Sequence, residues 1–525
     1  MTCRKRPGVL TVVVLLGLTG CANDKKNLSP VRPGPAGFWR VSADGTGDWA
    51  TIQEALDHAE PGDTVAVAEG IYDERPVIDK PVVFLGGWDS RFTAADPDRR
   101  ETVLDGRFMG TVVTVVDVPD TSTVIRGFVI THGSHTDTLA GKPASALGAS
   151  HAPPGSGILC DNASPLISLN TIEENEAPYG AGILCLRGAP SLRANRIRFN
   201  RALEDGGGIL CLEFTGEITL NVVSHNEAGG EGGGVHLSES QGRGLENLIE
   251  ENHAVEAGGG IACRLSSFVL ESTTIRANHA AGLGAGLYID REGDPVFDAC
   301  IIEGNQTDGT GAGVYCARGC TPTFTSCEFS NNTAESLGGA MYTLASVTLI
   351  HCSLLDNRAY MGGGVYCGQT AAADLRRCLF AGNSGRTGGA VAMADDAVAD
   401  VYRNTFFANG ASVAGGGFYL ISGDIRLEKN LVVGATEGGG LYCWTGVTVE
   451  ILKNDFWNNT GGNFGGACVE PPAPDPNENF SEDPLFCDPE NRVFHLQAGS
   501  PAVLSETDTL GAFSCGCPGR KFDAP

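Results

Sequence analysis

A glycine-rich hexapeptide recurs along most of the chain and constrains its fold more than any other feature. Thirteen copies follow one another at intervals of 23 to 27 residues, usually 26. They are GSGILC from Gly155, GAGILC from Gly180, GGGILC from Gly206, GGGVHL from Gly232, GGGIAC from Gly258, GAGLYI from Gly284, GAGVYC from Gly311, GGAMYT from Gly338, GGGVYC from Gly362, GGAVAM from Gly388, GGGFYL from Gly415, GGGLYC from Gly438 and a degenerate copy, GGACVE, from Gly465. A unit this short cannot bury its own apolar face and must stack on its neighbours. Three short apolar runs lie in each period without a helical pattern between them. The sequence therefore predicts an all-β solenoid with three strands per coil of about 26 residues.

The composition and charge narrow the range of partners. The 525 residues include 73 Gly without a three-residue period, which places the glycines in turns rather than in a collagen helix. Lys and Arg number 36 against 63 Asp and Glu, a net charge of -27. Such a chain lacks the basic surface that phosphate backbones require, so no nucleic acid is expected. Polyanionic polysaccharides are disfavoured for the same reason, and neutral or cationic partners fit better.

The first 21 residues have the pattern of a secretory signal peptide. A basic start at Arg4 to Arg6 precedes an apolar run that is too short for a comfortable membrane span. The ending Leu-Thr-Gly-Cys resembles the lipobox of bacterial lipoproteins, and this resemblance implies that Cys21 is lipidated and anchors the chain in the membrane. Because Ala22 follows the cysteine, the family's sorting rule implies the outer membrane. An ordinary signal peptide cut near Ala22 is the alternative. Residues 22–37 form a Pro-rich tether.

A second register precedes each hexapeptide and predicts a ladder of stacked polar side chains. It holds Asn170, Asn195, Asn221, Asn247, Asn404, Asn430 and Asn454, with Cys300, Cys327, Cys352 and Cys378 in the corresponding position. Asn tolerates left-handed backbone and forms hydrogen bonds along a turn. The pattern resembles the right-handed parallel β-helix, or pectin-lyase-like, superfamily over roughly residues 40 to 515. By that resemblance, the hexapeptide strands form the sheet that lines the substrate groove. The repeats are also similar to those of polymorphic outer-membrane proteins.

The regions outside the regular repeat are assigned as follows. Residues 38–131 form an N-terminal cap and the first coils, with a short capping helix that starts at a capping box, Thr51 to Glu54. Residues 132–154 form an inserted loop, 155–470 the regular coils, and 471–525 a C-terminal cap and tail. The opening is similar to that of pectin methylesterases, but their catalytic segments DFIFG and GRPW are absent, so the resemblance does not imply esterase activity.

Period-two alternation separates the inside of the solenoid from its outside. The fourth and sixth hexapeptide positions are mostly apolar and are expected to point inward, so the fifth points outward. Six tyrosines occupy that position and are the candidate ligand-binding residues: Tyr288, Tyr315, Tyr342, Tyr366, Tyr419 and Tyr442. We expect them to stack into an uncovered aromatic strip that binds sugar faces. The alternative is that they stack for stability alone.

Catalytic machinery is sparse in the sequence. Neither the arginine motif of pectate lyases nor the GHG segment of polygalacturonases is present, and the catalytic residues stay unknown. Carboxylates such as Asp161 and Glu213 could meet across coils. No cofactor or metal is expected, apart from calcium if the chain is an enzyme. His132, His135, Asp137 and His151 in the inserted loop could ligate a metal, but the composition favours a mobile loop.

Sixteen cysteines remain after Cys3 in the signal peptide and Cys21 at the anchor. Cysteines on adjacent coils lie close to disulfide distance, and buried reduced thiols would pack equally well. Cys515 and Cys517 are expected to fasten the C-terminal cap. Taken together, the sequence predicts a lipid-anchored cell-envelope β-helix that binds extracellular polysaccharide or a surface protein without cleaving it. The alternatives are a polysaccharide lyase or glycoside hydrolase, and a purely structural surface rod.

Overall fold

A computed structural model describes residues 37–134, 156–470, 478–505 and 508–517. Parallel strands from successive coils form three long sheets, and a fourth, shorter sheet runs beside them. Each regular coil contributes one strand to each long sheet, as the three apolar runs per period predict. The signal peptide, the lipid anchor, the tether and most of the inserted loop lie outside the described residues.

Sheet I contains the hexapeptide strands. Its 15 strands are Val77–Ile78, Val113–Val116, Ile158–Asp161, Ile183–Gly188, Ile209–Phe214, Val235–Ser238, Ile261–Arg264, Leu287–Asp290, Val314–Cys316, Met341–Thr343, Val365–Cys367, Val391–Met393, Phe418–Leu420, Leu441–Cys443 and Phe464–Gly466. Two strands therefore precede the first hexapeptide.

Sheet II follows sheet I within each coil. Its 16 strands are Phe38–Val41, Thr64–Ala68, Val83–Trp88, Val124–Arg126, Leu166–Ser168, Ser191–Arg193, Glu217–Thr219, Arg243–Leu245, Val269–Glu271, Val296–Asp298, Thr323–Thr325, Ser346–Ile350, Ala372–Arg376, Val398–Tyr402, Asp424–Glu428 and Thr448–Leu452.

Sheet III completes the coil. Its 15 strands are Gly70–Tyr72, Thr102–Asp105, Val129–Thr131, Thr171–Glu173, Arg196–Arg198, Val222–Ser224, Leu248–Glu250, Thr274–Arg276, Ile301–Glu303, Glu328–Ser330, Ser353–Leu355, Leu379–Ala381, Thr405–Phe407, Leu431–Val433 and Asp455–Trp457.

The short sheet IV connects sheet III back to sheet I. Its seven strands are Glu176–Ala177, Arg201–Ala202, Glu227–Ala228, His253–Ala254, His279–Ala280, Gln306–Thr307 and Thr333–Ala334. Further along the same side, Ser384–Thr387 pairs with Gly410–Ala414.

The interior is a continuous apolar core that runs along the solenoid. The fourth and sixth hexapeptide positions point into it, as predicted; Ile183 and Cys185, for example, are fully buried. Aromatic rings stack from coil to coil in the other sheets, with the ring centroids of Phe297 and Phe324 4.6 Å apart. Each side chain thus packs on its equivalents in the coils above and below, which is why the repeat specifies the fold.

The predicted ladder lies at the corner between sheets II and III. The backbone N–H of Asn195 donates to Oδ1 of Asn221 (3.0 Å), and its Nδ2 donates to the same oxygen (3.0 Å). Where the ladder is Cys, the thiol donates weakly to two carbonyls instead, as Cys327 does to Phe297 and Thr325 at 3.5 and 3.4 Å. Cysteine thus replaces the amide with a weaker donor of similar placement.

A second ladder, which our sequence analysis missed, lies at the corner after sheet III. Asn175 donates from its backbone N–H to Oδ1 of Asn200 at 3.2 Å and from Nδ2 to the same oxygen at 2.9 Å. The same bonds continue through Asn200, Asn226, Asn252, Asn278, Asn305, Asn332, Asn357, Asn383 and Asn409. Every residue of this run is Asn, so the second ladder is more regular than the first.

The first glycine of each hexapeptide is required by its backbone and its surroundings. From Gly180 to Gly438 this position has φ between 57° and 79°, a left-handed conformation that L side chains rarely adopt. A Cβ on Gly206 would also lie 2.7 Å from Cβ of Leu210 at the fifth position. Glycine therefore allows the corner to pass close over the outer face of sheet I.

The N-terminal helix, Ile52–His58, covers the first coil and buries Ile52, Ala55 and Leu56 as expected. Its predicted capping box is wrong. The hydroxyl of Thr51 donates to the carboxylate of Glu54 at 2.7 Å and does not cap the backbone. The carboxylate of Glu74 accepts the N–H groups of Ile52 (2.9 Å) and Gln53 (3.1 Å) instead. A residue from a later loop thus takes the role that a local motif was expected to fill.

One expectation at the C-terminal end, the register of the last hexapeptide, needs correction. Leu441 pairs with Phe464 and Tyr442 with Gly465, so the last hexapeptide starts four residues before the predicted copy, at GGNFGG from Gly461. The segment that we assigned as a cap first lies over the last coil, where Phe480 bridges to Asp455 and Asn454 donates to Oδ1 of Asn479. It then folds along the side of the preceding coils. Its antiparallel strands Phe486–Asp488 and Val493–Leu496, with the 3-10 turn Pro489–Asn491, pack on apolar residues of sheet III.

Ion pairs and disulfides fasten this end. Asp508 contacts Arg403 and Lys429, the latter at 2.8 Å. Disulfides join Cys443 to Cys468 and Cys487 to Cys517. Of the two cysteines predicted to fasten the tail, Cys517 does so, whereas Cys515 lies in neither disulfide. Within the described residues the ladder cysteines and Cys160, Cys185 and Cys211 are reduced thiols. No helix in these ranges has the length and apolar character needed to cross a membrane.

Candidate functional site

Three rows of side chains run along the outer face of sheet I, with one residue per coil in each row. The leading row is the residue just before each hexapeptide, and its members are bridged from coil to coil, as Glu231 is to Ala257. The middle row is the fifth hexapeptide position. The trailing row is the seventh position, where Arg264 pairs with Asp290 on the next coil. These rows form the face that a groove ligand would meet.

The predicted tyrosines of the middle row are brought together. Tyr288, Tyr315, Tyr342 and Tyr366 form one stack, with ring centroids 5.5, 5.2 and 5.3 Å apart and interplanar angles of 25°, 11° and 3°. Ala392 interrupts the row, and Tyr419 and Tyr442 form a second stack with centroids 5.4 Å apart. The strip therefore has two segments rather than one continuous series.

The expectation that the strip is uncovered is wrong. Tyr288, Tyr366 and Tyr419 are only 7–8% exposed. Apolar residues of the leading row, such as Leu283 and Met361, pack against the tyrosines from the side. Because neighbouring rings cover each other's faces, the stacks present ring edges rather than the open faces on which a sugar could lie.

Burial also determines the ionisation of these hydroxyls. Desolvation raises the pKa of Tyr315 to about 12 and that of Tyr366 to about 12. The hydroxyls therefore stay protonated at neutral pH and can both donate and accept hydrogen bonds.

The C-terminal end of the outer face has an exposed aromatic residue that our sequence analysis did not single out. Trp444, in the trailing row, is 52% exposed, and its Nε1–H donates to the hydroxyl of Tyr419 at 2.8 Å.

On the other side of Tyr442 lies a hollow of about 310 Å³. Its lining is Val413, Ala414, Gly438, Gly439, Leu441, Tyr442, Gly461, Gly462, Phe464 and Gly465. The five glycines keep the hollow free of side chains, and its volume is at the lower end of the range for ligand pockets. Phe464 borders it from the interior, where its ring centroid lies 4.8 Å from that of Phe456. We call Trp444, Tyr442, Phe464 and this hollow the aromatic end.

The opposite end of the tyrosine row carries charged groups instead of aromatic ones. His236 takes the middle-row position two coils before Tyr288, and Ala262 between them leaves room for the side chain of Arg264. Arg264 reaches across to the leading row, where its guanidinium donates to Glu231 at 2.5 Å. Glu231 is 4% exposed and His236 1% exposed. We call these three residues the polar end.

Burial perturbs the charges of the polar end. Desolvation, which outweighs the attraction of Arg264, raises the pKa of Glu231 to about 8. Desolvation likewise lowers the pKa of His236, so the imidazole is neutral at neutral pH. Titratable groups with such shifts are concentrated at functional sites, although structural ion pairs show them as well.

The fold agrees with a comparison against protein families. A model described as the right-handed β-helix region matches residues 156–346 and 271–456, which together span more than half of the chain. The chain belongs to the right-handed β-helix family. No curated protein matches it. The matched residues of this β-helix include the polar end, both tyrosine stacks and Trp444, so the candidate site lies on the repeating part of the family fold.

The other candidates from the sequence are not brought into one site. Asp161 and Glu213 do not form a carboxylate pair of their own, because the guanidinium of Arg187 contacts Asp161 and interacts with Glu213. His132 lies between Asp105 (3.1 Å) and Glu174 (3.4 Å). His135, Asp137 and His151 lie outside the described residues. Within the described part of the β-helix, no group of three or more His, Cys, Asp or Glu side chains is arranged to hold a metal ion.

The polar and aromatic ends were missed for identifiable reasons. Glu231 and Arg264 are 33 residues apart and meet only because one coil stacks on the next. A signal for Trp444 was present, since the seventh position alternates outward with the fifth and Trp444 occupies it. Our sequence analysis considered only one outward row of the β-helix, the fifth hexapeptide position, and therefore missed the residues of both ends that lie in the other two rows.

Proposed function

We propose that this β-helix binds an extracellular polysaccharide along the outer face of sheet I, without cleaving it, and that Cys21 anchors it by lipid in the bacterial outer membrane. The anchoring rests on the signal peptide and its Leu-Thr-Gly-Cys ending. The binding rests on the aromatic end. An exposed Trp444 beside a glycine-lined hollow offers both an open ring and a concave surface.

The aromatic end is a better sugar contact than the tyrosine stacks. Sugars pack their apolar faces on open aromatic rings, and the rings of Tyr315 and Tyr342 are covered on both sides by their neighbours. Trp444 has no stacking partner of this kind among the described residues, and its ring is half exposed. The tyrosine hydroxyls then provide hydrogen bonds along the path of a longer chain.

The charge of the protein indicates which polysaccharides to expect. With a net charge of -27, a polyanion such as pectate would be repelled over the whole length of the solenoid. We therefore expect neutral or amino-sugar polymers to bind and polyuronates to fail. Screening the full chain, purified in detergent, on an array that contains all three classes tests this expectation.

Replacing Trp444 tests the site directly. Trp444→Ala should weaken binding of the glycan found on the array by at least about tenfold, because a central aromatic contact contributes about 2 kcal/mol or more. Titration calorimetry measures the change. Phe199→Ala is the matched control, since Phe199 is 51% exposed but follows the sheet III strand Arg196–Arg198, outside the three rows. Equal affinities for wild type and Trp444→Ala would refute the assignment, and binding to no glycan at all would favour a structural rod or a protein adhesin.

A second candidate, a polysaccharide lyase or glycoside hydrolase, is favoured by the polar end. A carboxyl group with a pKa of about 8 beside an arginine and a neutral histidine is the type of set that acid–base catalysis uses. Glu231 and His236 are nearly inaccessible, however, which is why we prefer binding. Release of reducing or unsaturated ends from the bound polymer, abolished by Glu231→Gln, would establish the enzyme instead.

A further inference from the structure

Backbone hydrogen bonds join the glycines of successive hexapeptides in a regular pattern. The N–H of the first glycine donates to the carbonyl of the residue before the next hexapeptide, as Gly362 does to Thr387 at 3.1 Å. The N–H of the second glycine donates to the carbonyl of the next first glycine, as Gly363 does to Gly388 at 3.0 Å. At these positions the N–H groups therefore point towards the following coil and the carbonyls towards the preceding one.

This pattern shifts by one residue beside the hollow of the aromatic end. The N–H of the second glycine, Gly439, donates to the carbonyl of Thr460 at 2.8 Å, which the regular pattern would assign to Gly438. Among the described residues, the N–H of Gly438 and the carbonyl of Gly461 consequently have no hydrogen-bond partner. A Cβ added to Gly461 would lie 3.4 Å from the carbonyl carbon of Gly438, so the two glycines are adjacent. The shift thus leaves one donor and one acceptor side by side, on two glycines that line the hollow.

A secondary amide that carries an apolar group matches this arrangement. Its carbonyl can accept from the N–H of Gly438 while its own N–H donates to the carbonyl of Gly461. A carboxylate can only accept and an ammonium group can only donate, so each would satisfy one position. A hydroxyl group could satisfy both, but it would leave the apolar side of the hollow uncovered. Val413 and Ala414 line that side, and Val413 is 58% exposed, so its methyl groups are open to a ligand.

We propose that the hollow binds the acetamido group of an N-acetylated sugar, so that the ligand of the proposed function is a polymer rich in N-acetylhexosamine. The amide pairs with Gly438 and Gly461, and its methyl group packs on Val413. Trp444, on the other side of Tyr442, contacts the ring of a neighbouring sugar. The acetamido group is uncharged, as is the lining of the hollow among the described residues. The inference rests on the proposed function and specifies its sugar class.

Three hexasaccharides that differ in one substituent test the assignment. Each ring of chitohexaose carries an acetamido group, where cellohexaose has a hydroxyl and hexaglucosamine an amine. Each sugar is titrated by calorimetry into the full chain in detergent, at a salt concentration that screens the attraction of amines to the acidic protein. We expect chitohexaose to bind at least about tenfold more tightly than the other two, the combined value of a buried methyl group and an added hydrogen bond.

Replacing the apolar wall separates the methyl contact from the contact with Trp444. Val413→Asn should lower the affinity for chitohexaose by about 3–10-fold and leave that for cellohexaose within about twofold, because only the acetamido methyl packs on this wall. Val398→Asn is the matched control, since Val398 is 49% exposed on sheet II, and it should change neither affinity. Thermal unfolding of both variants identifies any loss of fold. Equal losses for the two sugars in a folded Val413→Asn overturn the methyl contact and with it the inference.

The comparison of sugars also separates this inference from the proposed function. Equal affinities for chitohexaose and cellohexaose overturn the acetamido assignment. If Trp444→Ala weakens both sugars in that case, the proposed function stands and only the inference falls. Failure of all three sugars to bind overturns the inference as well, and the glycan array then decides whether the proposed function survives. Tetra-alanine, a peptide with the same amide and methyl groups, is the last probe, and tighter binding of it than of chitohexaose overturns the sugar class.

A crystal structure of the protein with chitohexaose tests the geometry. We expect one acetamido oxygen within about 3.2 Å of the backbone nitrogen of Gly438, and the nitrogen of the same group within about 3.2 Å of the carbonyl oxygen of Gly461. A bound sugar whose acetamido groups all lie elsewhere, with only water at these two backbone atoms, overturns the proposal.

Discussion

The inner and outer faces of sheet I belong to the same strands, but their residue types vary to different extents from coil to coil. The inner positions are Ile, Val, Leu, Met, Phe or Cys from one end of the solenoid to the other, apart from Thr343 and Gly466, and nearly all are fully buried. The middle row outside begins with leucines, changes to His236, then to tyrosines, and ends beside Trp444. An inner residue is enclosed by all three sheets, so its volume is fixed. An outer residue is covered by one adjacent row, which leaves its chemistry free to change.

The inner face should be the more sensitive of the two. Ile209→Ala removes a fully buried side chain that packs on Ile183 and Val235 in the adjacent coils. We expect a loss of about 2–5 kcal/mol in the free energy of unfolding, measured by urea denaturation, because of the cavity it leaves. Ile209→Val, with one methyl fewer, should cost about 0.5–1.5 kcal/mol. A loss for Ile209→Ala no larger than that for an outer tyrosine would contradict the comparison.

The outer stack should contribute less. Tyr342 packs between Tyr315 and Tyr366, at 5.2 and 5.3 Å. Tyr342→Leu keeps an apolar group but removes two aromatic pairs of about 0.5–1.5 kcal/mol each, for an expected loss of about 1–3 kcal/mol by the same denaturation. Tyr360→Leu serves as the control, because it replaces an exposed tyrosine. If both variants lose the same stability, the stack has no energetic role.

The polar end should show its effect as a pH dependence of stability. The pKa of Glu231 is raised from 4.5 to about 8 in the folded state, so the native protein holds a proton that the unfolded chain releases. Its contribution to stability is complete below pH 4.5 and is lost as the pH rises through about 8. Glu231→Gln should therefore reduce the decline in melting temperature over this range.

Asp455 supplies the control for that measurement. Burial raises its pKa from 3.8 to about 8 as well, and it lies more than 200 residues away in sheet III. Asp455→Asn should remove its own part of the decline, and the double variant should show the flattest profile. A decline that is unchanged in Glu231→Gln would mean that the Glu231–Arg264 pair is ionised throughout this range.

Much of the fold could be predicted because the repeat encodes contacts between equivalent residues. The position of Asn195 above Asn221 follows from the period alone, and so do the inward and outward rows. The second ladder was equally visible, since Asn200 follows Asn195 by five residues, but we recognised only one register. The helix cap by Glu74 could not be found this way, because the two groups come from non-equivalent positions.

The candidate site was less predictable for the same physical reason. Period-two alternation correctly gave the direction of the tyrosines, but their burial depends on the leading row, whose Leu283 and Met361 belong to no recognisable motif. The polar end arises where the repeat is broken, at His236 and Arg264. Residues that differ from the repeat give no periodic signal in the sequence. The residues that they contact can be identified only once the coils are stacked in the structure.

The fastening of the C-terminal coils has a consequence for the lifetime of the protein. A terminal coil has only one neighbour, so a solenoid opens from its ends. The Cys443–Cys468 disulfide and the contacts of Asp508 with Arg403 and Lys429 join several coils at one end. These coils can unfold only together, which slows the local unfolding that proteases require for cleavage. Proteolysis of the solenoid would thus proceed at a rate determined by its N-terminal coils.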